Sequence, residues 1–382
     1  MDLFGTSLPI AARYTAAARR VAAHEDPWVL GYHPVARMNP YQALLYGEGT
    51  RSGFAVVAAP TSAELAPLAC ASAMGVGAIA HLHWTSHVLA DAKSEEDADA
   101  RASTFLGFVR SLQQRGIKTV WTVHNRLPHR CEYPQVERQL RTELASLVDV
   151  AHIMTEGTPD AVGDLFTLPS DRLLVAEHPS YLGAYPTHHD PQLVRFETGF
   201  EPDDFVVGMI GSIQAYKGVD ELLDAFAIAA PDVANLRGLI AGMPGRDPES
   251  LELVRRLRTQ PMIRAFPSKL DDQNLARLVS SVDVMALPYR STLNSGAALL
   301  ALSFGIPVIG PLLGQFVELA DLGFCLAYDP HEMEGLAAAL RQAPSWAAQV
   351  DRDAILDYVA GRTGPTVSER FFAGLRDHLD AT

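Results

Sequence analysis

Two doubly wound parallel α/β units in tandem are what this chain of 382 residues predicts. Three observations carry that reading: short, almost wholly apolar runs rich in β-branched residues; helix-length amphipathic segments alternating with them; and a single break in the alternation near the middle. Apolar runs without in–out alternation mark strands covered on both faces, as in parallel sheets. Strict strand–helix alternation selects the doubly wound class. A composition of 48% apolar and 20% charged residues suits large cores and excludes disorder, collagen and coiled coil. The length accommodates two or three domains.

In the first half the strands fall at Trp28–Tyr32, Phe54–Ala58, Ala78–His83, Lys118–Val123, Val150–Thr155 and Leu173–Ala176, with helices at Thr61–Met74, Ala102–Arg115 and Gln135–Leu147. The segment His178–Phe200 is rich in Pro, Tyr, His and Gly and has no clear period, so it reads as a linker. The alternation then restarts with strands at Phe205–Gly211, Leu236–Ala241, Met262–Phe266, Val282–Leu287, Pro307–Gly310 and Gly323–Ala327. Its helices fall at Gly218–Ala230, Glu249–Thr259, Asp272–Ser281, Asn294–Phe304 and His331–Arg341. A last helix, Thr366–His378, follows Gly364-Pro365 and is placed to return to the first unit. The expected domains are therefore 1–187, 188–365 and a returning helix, 366–382.

The chain has 31 basic and 45 acidic residues, net −14, which lacks the basic footprint of a nucleic-acid binder. Its three cysteines, Cys70, Cys131 and Cys325, are scattered and form no Cys-x-x-Cys pair, so they read as reduced thiols. No signal-peptide core and no uninterrupted apolar run of membrane-spanning length is present, which predicts a cytoplasmic protein, at most peripheral to a membrane.

Two segments stand where open α/β sheets bind ligands, at C-terminal strand ends leading into helices. The first is Gly211-Ser212-Ile-Gln-Ala-Tyr-Lys217-Gly218. A glycine-bearing turn before a helix offers backbone N–H groups to an anion, and Lys217 adds a full charge. A plain turn with a solvent-exposed lysine would show the same spacing. The second is Leu287-Pro-Tyr-Arg-Ser-Thr-Leu-Asn294-Ser295-Gly296, in which Asn294 or Ser295 suits an N-cap and Gly296 allows close backbone approach. Together they suit two phosphates held without metal.

These two segments, GSIQAYKG and LPYRSTLNSGAALLALSFGIPVIG, resemble the nucleotide-sugar half of GT-B glycosyltransferases, particularly family four. In the first half, VWTVHNRLPHR (Val120–Arg130) resembles the strand-end His motif of the same group, and NPYQALLY (Asn39–Tyr46) resembles its bacterial polysaccharide- and glycolipid-assembling members. The resemblance implies a GT-B fold: an acceptor domain, then a donor domain, an active cleft between them, and a C-terminal helix crossing back. It implies transfer of a hexosyl group from a UDP- or GDP-sugar to a hydroxyl of a sugar or lipid-linked glycan, with no cofactor, no required metal and no nucleic acid. Contact with the inner membrane face is part of the same expectation.

On the residues of this chain, Gly211, Ser212, Lys217, Asn294, Ser295 and Gly296 become the donor and phosphate contacts, and Lys217 and His124 the catalytic pair. Tyr41, His83, Trp84, Asn125 and Arg126 are the acceptor-side candidates. A base for an inverting reaction would be His83, His124 or Glu132. Two departures stand out. Ser212 replaces the family's usual arginine after the glycine, and the paired glutamates that usually contact the donor sugar and ribose fall on Thr292 and Leu300. These substitutions leave open a catalytically weak or inactive binding partner; a nucleotide-sugar epimerase is the other alternative.

Three further patterns have bland explanations. Asp97-Ala-Asp99 lies in an acidic run that opens a helix, where the dipole alone favours carboxylates. His81, His83 and His87 have no carboxylate or cysteine near them in sequence, and strand alternation aims His81 and His83 together into packing. Arg126, His129, Arg130, Arg138 and Arg141 form the densest basic stretch, suited either to an anionic acceptor or lipid surface or to a solvated helix face.

Overall fold

The computed structural model describes residues 8–36, 39–128 and 131–380. It divides into two compact units, Met1–Pro179 with Gly364–Thr382, and Ser180–Thr363. In the first unit, strands β1 (Trp28–His33), β2 (Phe54–Ala58), β3 (Gly77–Leu82), β4 (Lys118–Thr122), β5 (Val150–Ile153) and β6 (Leu173–Val175) form one parallel sheet in the order β2-β1-β3-β4-β5-β6. In the second, β7 (Phe205–Ile210), β8 (Leu236–Ala241), β9 (Ile263–Phe266), β10 (Val284–Ala286), β11 (Val308–Pro311) and β12 (Cys325–Tyr328) take the order β12-β11-β10-β7-β8-β9. Both sheets are all-parallel, and both reverse strand order once, between β1 and β3 and between β7 and β10. Ligands gather at such reversals, outside the carboxyl ends of the strands.

Every residue of β5 and β10 is buried, which is why β10 reads as an unbroken apolar run and β5 as one interrupted only by His152. The core of the second unit lies between the sheet and the helices Val219–Ala229 and Gly335–Ala347, with Phe226, Leu222, Ile240, Ala337 and Leu340 at its centre. In the first unit the closing helix is Gly364–Asp380. Its Val367, Phe371, Phe372 and Leu375 are fully buried against Leu30, Phe54, Val120 and Leu174. Ser368 accepts the Glu48 N–H at 2.9 Å, and Arg370 pairs with Glu177 at 3.2 Å.

Four expectations are corrected in detail. The helix expected over Thr61–Met74 is a 3₁₀ segment, Ser62–Leu68, then a single α turn, Ala69–Ser72, because Pro67 supplies no N–H inside it. The break after His178 contains a helix, Pro191–Thr198, capped by Asp190 and stopped by Gly199 at φ 81°. The helix expected from Asn294 runs Gly296–Leu302, and the one expected from His331 runs Gly335–Ala347. The second compact unit begins at Ser180: Ser180 N–H donates to the Arg362 carbonyl at 2.7 Å and Tyr181 N–H to Ser303 Oγ at 2.9 Å, tying the start of the linker to that unit.

Candidate active site

In the second unit the segments after β7 and β10 meet at the sheet reversal. Gly218 has φ +73°, and a Cβ there would stand 2.0 Å from the Pro288 carbonyl oxygen, so only glycine permits this contact. Gly211, at φ +144°, faces the Lys217 ammonium, whose Nζ would lie 3.1 Å from a Cβ on that glycine. Lys217 ends a short 3₁₀ turn, Ala215–Lys217, and its ammonium lies 5.8 Å from the centre of the Tyr289 ring. Among the described residues no carboxylate pairs with it; the nearby Asp220 and Glu221 are taken by Arg290, at 2.7 and 2.5 Å. Burial lowers the Lys217 pKa to about 8. A half-buried cation with no counter-ion among the described residues, above a bare glycine, has the chemistry that a bound anion would satisfy.

The second segment differs from expectation. Ser295 is not available to a ligand: its Oγ accepts the Ala298 N–H at 3.1 Å, its own N–H donates to Gln315 Oε1 at 3.0 Å, and its hydroxyl bonds Tyr289. Both polar atoms of the Asn294 amide, by contrast, are buried without a hydrogen-bond partner. Such atoms are costly unless a ligand satisfies them. Thr292 Oγ1 donates to the Asn294 carbonyl at 3.2 Å, and Leu300 is buried in packing, so neither stands in for the family's carboxylates. A half-open cavity of about 550 Å³ adjoins this region, lined by Glu221, Tyr289, Arg290, Tyr328, His331 and Met333; the expected phosphate contacts do not line it.

In the first unit, buried polar side chains cross the ends of β3, β4 and β5. Tyr46 OH bonds His81 Nδ1 at 2.8 Å and His83 Nε2 at 2.6 Å. His81 Nε2 bonds Thr122 Oγ1 at 2.7 Å, which bonds His152 Nδ1 at 2.9 Å; His152 Nε2 donates to the Ala176 carbonyl at 2.9 Å. At the other end His83 Nδ1 bonds His124 Nε2 at 3.0 Å. His124 stacks on Trp84 with ring centres 4.1 Å apart, and among the described residues nothing bonds its Nδ1. Burial holds the pKa of His81, His83 and His124 well below the ordinary value, helped by the neighbouring imidazoles, and that of His152 to about 4. All four rings are neutral at pH 7. A small pocket is lined by His83, Trp84, Thr85, His124 and Asn125, and the buried Thr85 hydroxyl in it has no partner.

The acceptor-side candidates thus separate. Trp84, Asn125 and His124 are partly exposed. Tyr41 and His83 are 1% exposed, Tyr41 packing edge-on to His83, Trp84 and His124. Arg126 is occupied, forking onto both Asp164 oxygens at 2.9 and 2.8 Å and bonding the Ala161 carbonyl. Arg141 is likewise buried, paired with Glu137 at 2.7 Å and donating to the Asn125 carbonyl at 2.6 Å, which fixes the chain just past His124. His129 and Arg130 lie outside the described residues. Asp97 folds back to accept the Lys93 N–H and the Arg101 side chain, as a helix-start carboxylate does. Among the described residues no group of three His, Cys, Asp or Glu side chains is arranged to hold a metal. Sequence reasoning missed Tyr46 as a hydrogen-bonding residue, and missed Thr122 and His152 altogether; a histidine inside the apolar strand VAHI was the one signal available.

Residues 204–345 match the family model for group 1 glycosyl transferases. Along the whole chain the likeness is structural: sucrose-phosphate synthase from Thermosynechococcus elongatus superposes with a TM-score of 0.70, covering 94% of this chain and all of that one at 13% identity. Anabaena HepE in complex with UDP and glucose gives 0.68 over 93% of this chain and all of that one, also at 13% identity. Those superpositions show the GT-B fold of two Rossmann-like units, and the family match lies within the second of them. This GT-B chain is 29% identical over 277 residues to the GDP-mannose:glycolipid 4-beta-D-mannosyltransferase of Xanthomonas campestris pv. campestris, covering 70% of itself and 72% of that protein. It is 31% identical over 171 residues to the D-inositol 3-phosphate glycosyltransferase of Rhodococcus opacus, covering 42% of itself and 38% of the relative.

Proposed function

We propose that this glycosyltransferase moves a hexosyl group from a GDP- or UDP-sugar to a hydroxyl of a glycan or lipid-linked glycan, the second unit binding the donor and the first the acceptor, without a metal ion. The observation that carries the donor half is the unpaired Lys217 ammonium over Gly211 at the sheet reversal. That cation would neutralise the diphosphate as it leaves, and loss of one such donor typically lowers kcat by about 10²–10³. Asn294 would satisfy its amide on the donor, in place of the contacts that Thr292 and Leu300 lack. A neutral His124 in the first unit would accept a hydrogen bond from a sugar hydroxyl or take its proton. A glycolipid-acting relative and a UDP-bound neighbour support both donor and acceptor classes. No helix among the described residues is long and apolar enough to cross a membrane; the glycolipid-acting relative supports placing this protein as a peripheral, cytoplasmic enzyme that meets a lipid-linked acceptor at the inner membrane face.

The test is transfer of labelled sugar from GDP-mannose and from UDP-glucose to extracted glycolipid, with and without a chelator. Label should appear in the lipid fraction from one donor, be unaffected by the chelator, and fall by about 10²–10³ in Lys217→Ala. Binding of the donor with neither transfer nor hydrolysis would leave an inactive binding protein. Conversion of the free nucleotide sugar without any acceptor would show an epimerase.

A further inference from the structure

The hydrogen bonds that cross β3, β4 and β5 can be satisfied in only one direction. The Ala176 carbonyl has no proton to give, so His152 Nε2 must donate to it. In a neutral ring, His152 Nδ1 is then an acceptor, and the Thr122 hydroxyl spends its one proton there. Thr122 Oγ1 must therefore receive from His81 Nε2–H, which leaves His81 Nδ1 to accept from the Tyr46 hydroxyl. With its proton spent, Tyr46 accepts from His83 Nε2–H; His83 Nδ1 then accepts from His124 Nε2–H. The polarity set by one backbone carbonyl is handed across five side chains to the ring at the edge of the pocket.

We infer that Tyr46, His81, His83, Thr122 and His152 are positioning residues that lock His124 in the Nε2–H tautomer and so present its Nδ1 lone pair to a substrate hydroxyl. Their contribution rests on the proposed role of His124, but the tautomer itself does not. Each member is buried and makes the bonds that the chain requires, as a fully satisfied network demands. The groups facing His124 are consistent with a neutral ring: Trp84 stacks on it, Tyr41 meets it edge-on, the Arg141 guanidinium adds positive potential, and Glu137 is already paired with Arg141. Protonation of any member would reverse a bond in the chain.

Ring-nitrogen NMR of the full chain, labelled with ¹⁵N-histidine at pH 7.5, reads this directly, the His124 signals being assigned by their loss in His124→Gln. The expected spectrum has His124 as a single neutral tautomer protonated at Nε2. Tyr46→Phe and Thr122→Val each cut the chain, so each should convert His124 to a mixture of both tautomers and lower kcat about tenfold with the donor KM unchanged. Thr122→Ser, which keeps the hydroxyl, should retain the single tautomer. An Nδ1-protonated His124 in the unaltered protein would overturn the inference even if no variant folds. An unchanged tautomer in both cut variants would overturn it too. A locked tautomer in a protein that transfers no sugar would instead refute the proposed function alone.

Discussion

Lys217 is half-buried, and no carboxylate among the described residues pairs with its ammonium. Because burial depresses its pKa to about 8, the ammonium form weakens above that pH. A bound diphosphate needs that proton, so nucleoside diphosphate affinity should be full at pH 7 and fall as pH rises through 8. Titration calorimetry at several pH values should show the fall, and Lys217→Ala should flatten it; a pH-independent affinity in the unaltered protein would contradict the assignment. Arg126 is the counter-example. With its guanidinium already on Asp164 and half of the pair in solvent, Arg126→Ala should change transfer less than about twofold, as an exposed ion pair is worth only about 0.2–1 kcal/mol. A large loss of activity would return Arg126 to the acceptor side. Sequence alone could not separate these two cations: both follow strand ends, and only the placement of Asp164, 38 residues on, distinguishes them.

At the scale of elements, the strands were legible because a doubly covered strand has no solvent face, so β7 and β10 read as uninterrupted apolar runs. The helix Pro191–Thr198 was equally marked, with Asp190 before Pro191 and Gly199 after, but it lay in a stretch judged by its Tyr, His and Pro content. The hydrogen-bonded row of histidines was not legible. It depends on parallel register, which sets Leu82 against Trp121 and Thr122 against His152, so that His83, Thr122 and His152 end at one level. No spacing within a single strand encodes that. The closing helix Gly364–Asp380 is structural in the strict sense: Phe371 is fully buried and stacks on His81 with ring centres 5.5 Å apart. Phe371→Ala should destabilise the first unit by about 3–5 kcal/mol, seen as a lower unfolding midpoint, and should loosen the His81 end of the row. A change under about 1 kcal/mol would show that the helix is not part of that core.

For the molecule as a whole, the buried histidines make stability acid-sensitive. A histidine held neutral in the fold binds a proton more readily when unfolded, so stability is full above about pH 6.5 and is lost as pH falls toward the folded value. His152 alone, lowered from 6.5 to about 4, accounts for about 3 kcal/mol by pH 4, and His178, also lowered to about 4 by burial, adds to it. Against a typical total of about 5–15 kcal/mol, the first unit should unfold in mild acid, and thermal scans from pH 7 to pH 4 should show its midpoint falling steeply below 6.5. A midpoint flat over that range would mean that these rings titrate freely. The two-unit plan was readable from the restarted alternation and the single break. What the break concealed was where the linker is anchored, since the Ser180 and Tyr181 bonds reach residues 362 and 303, far along the chain.

Thermal unfolding of the full chain with UDP, GDP, ADP and dTDP, each with and without magnesium, tests the donor site most directly. A nucleotide at about 100 times its Kd stabilises by about 2.7 kcal/mol. The account predicts a raised midpoint with UDP or GDP, indifferent to magnesium and absent in Lys217→Ala; no shift with any of the four, or one that Lys217→Ala leaves intact, would contradict it.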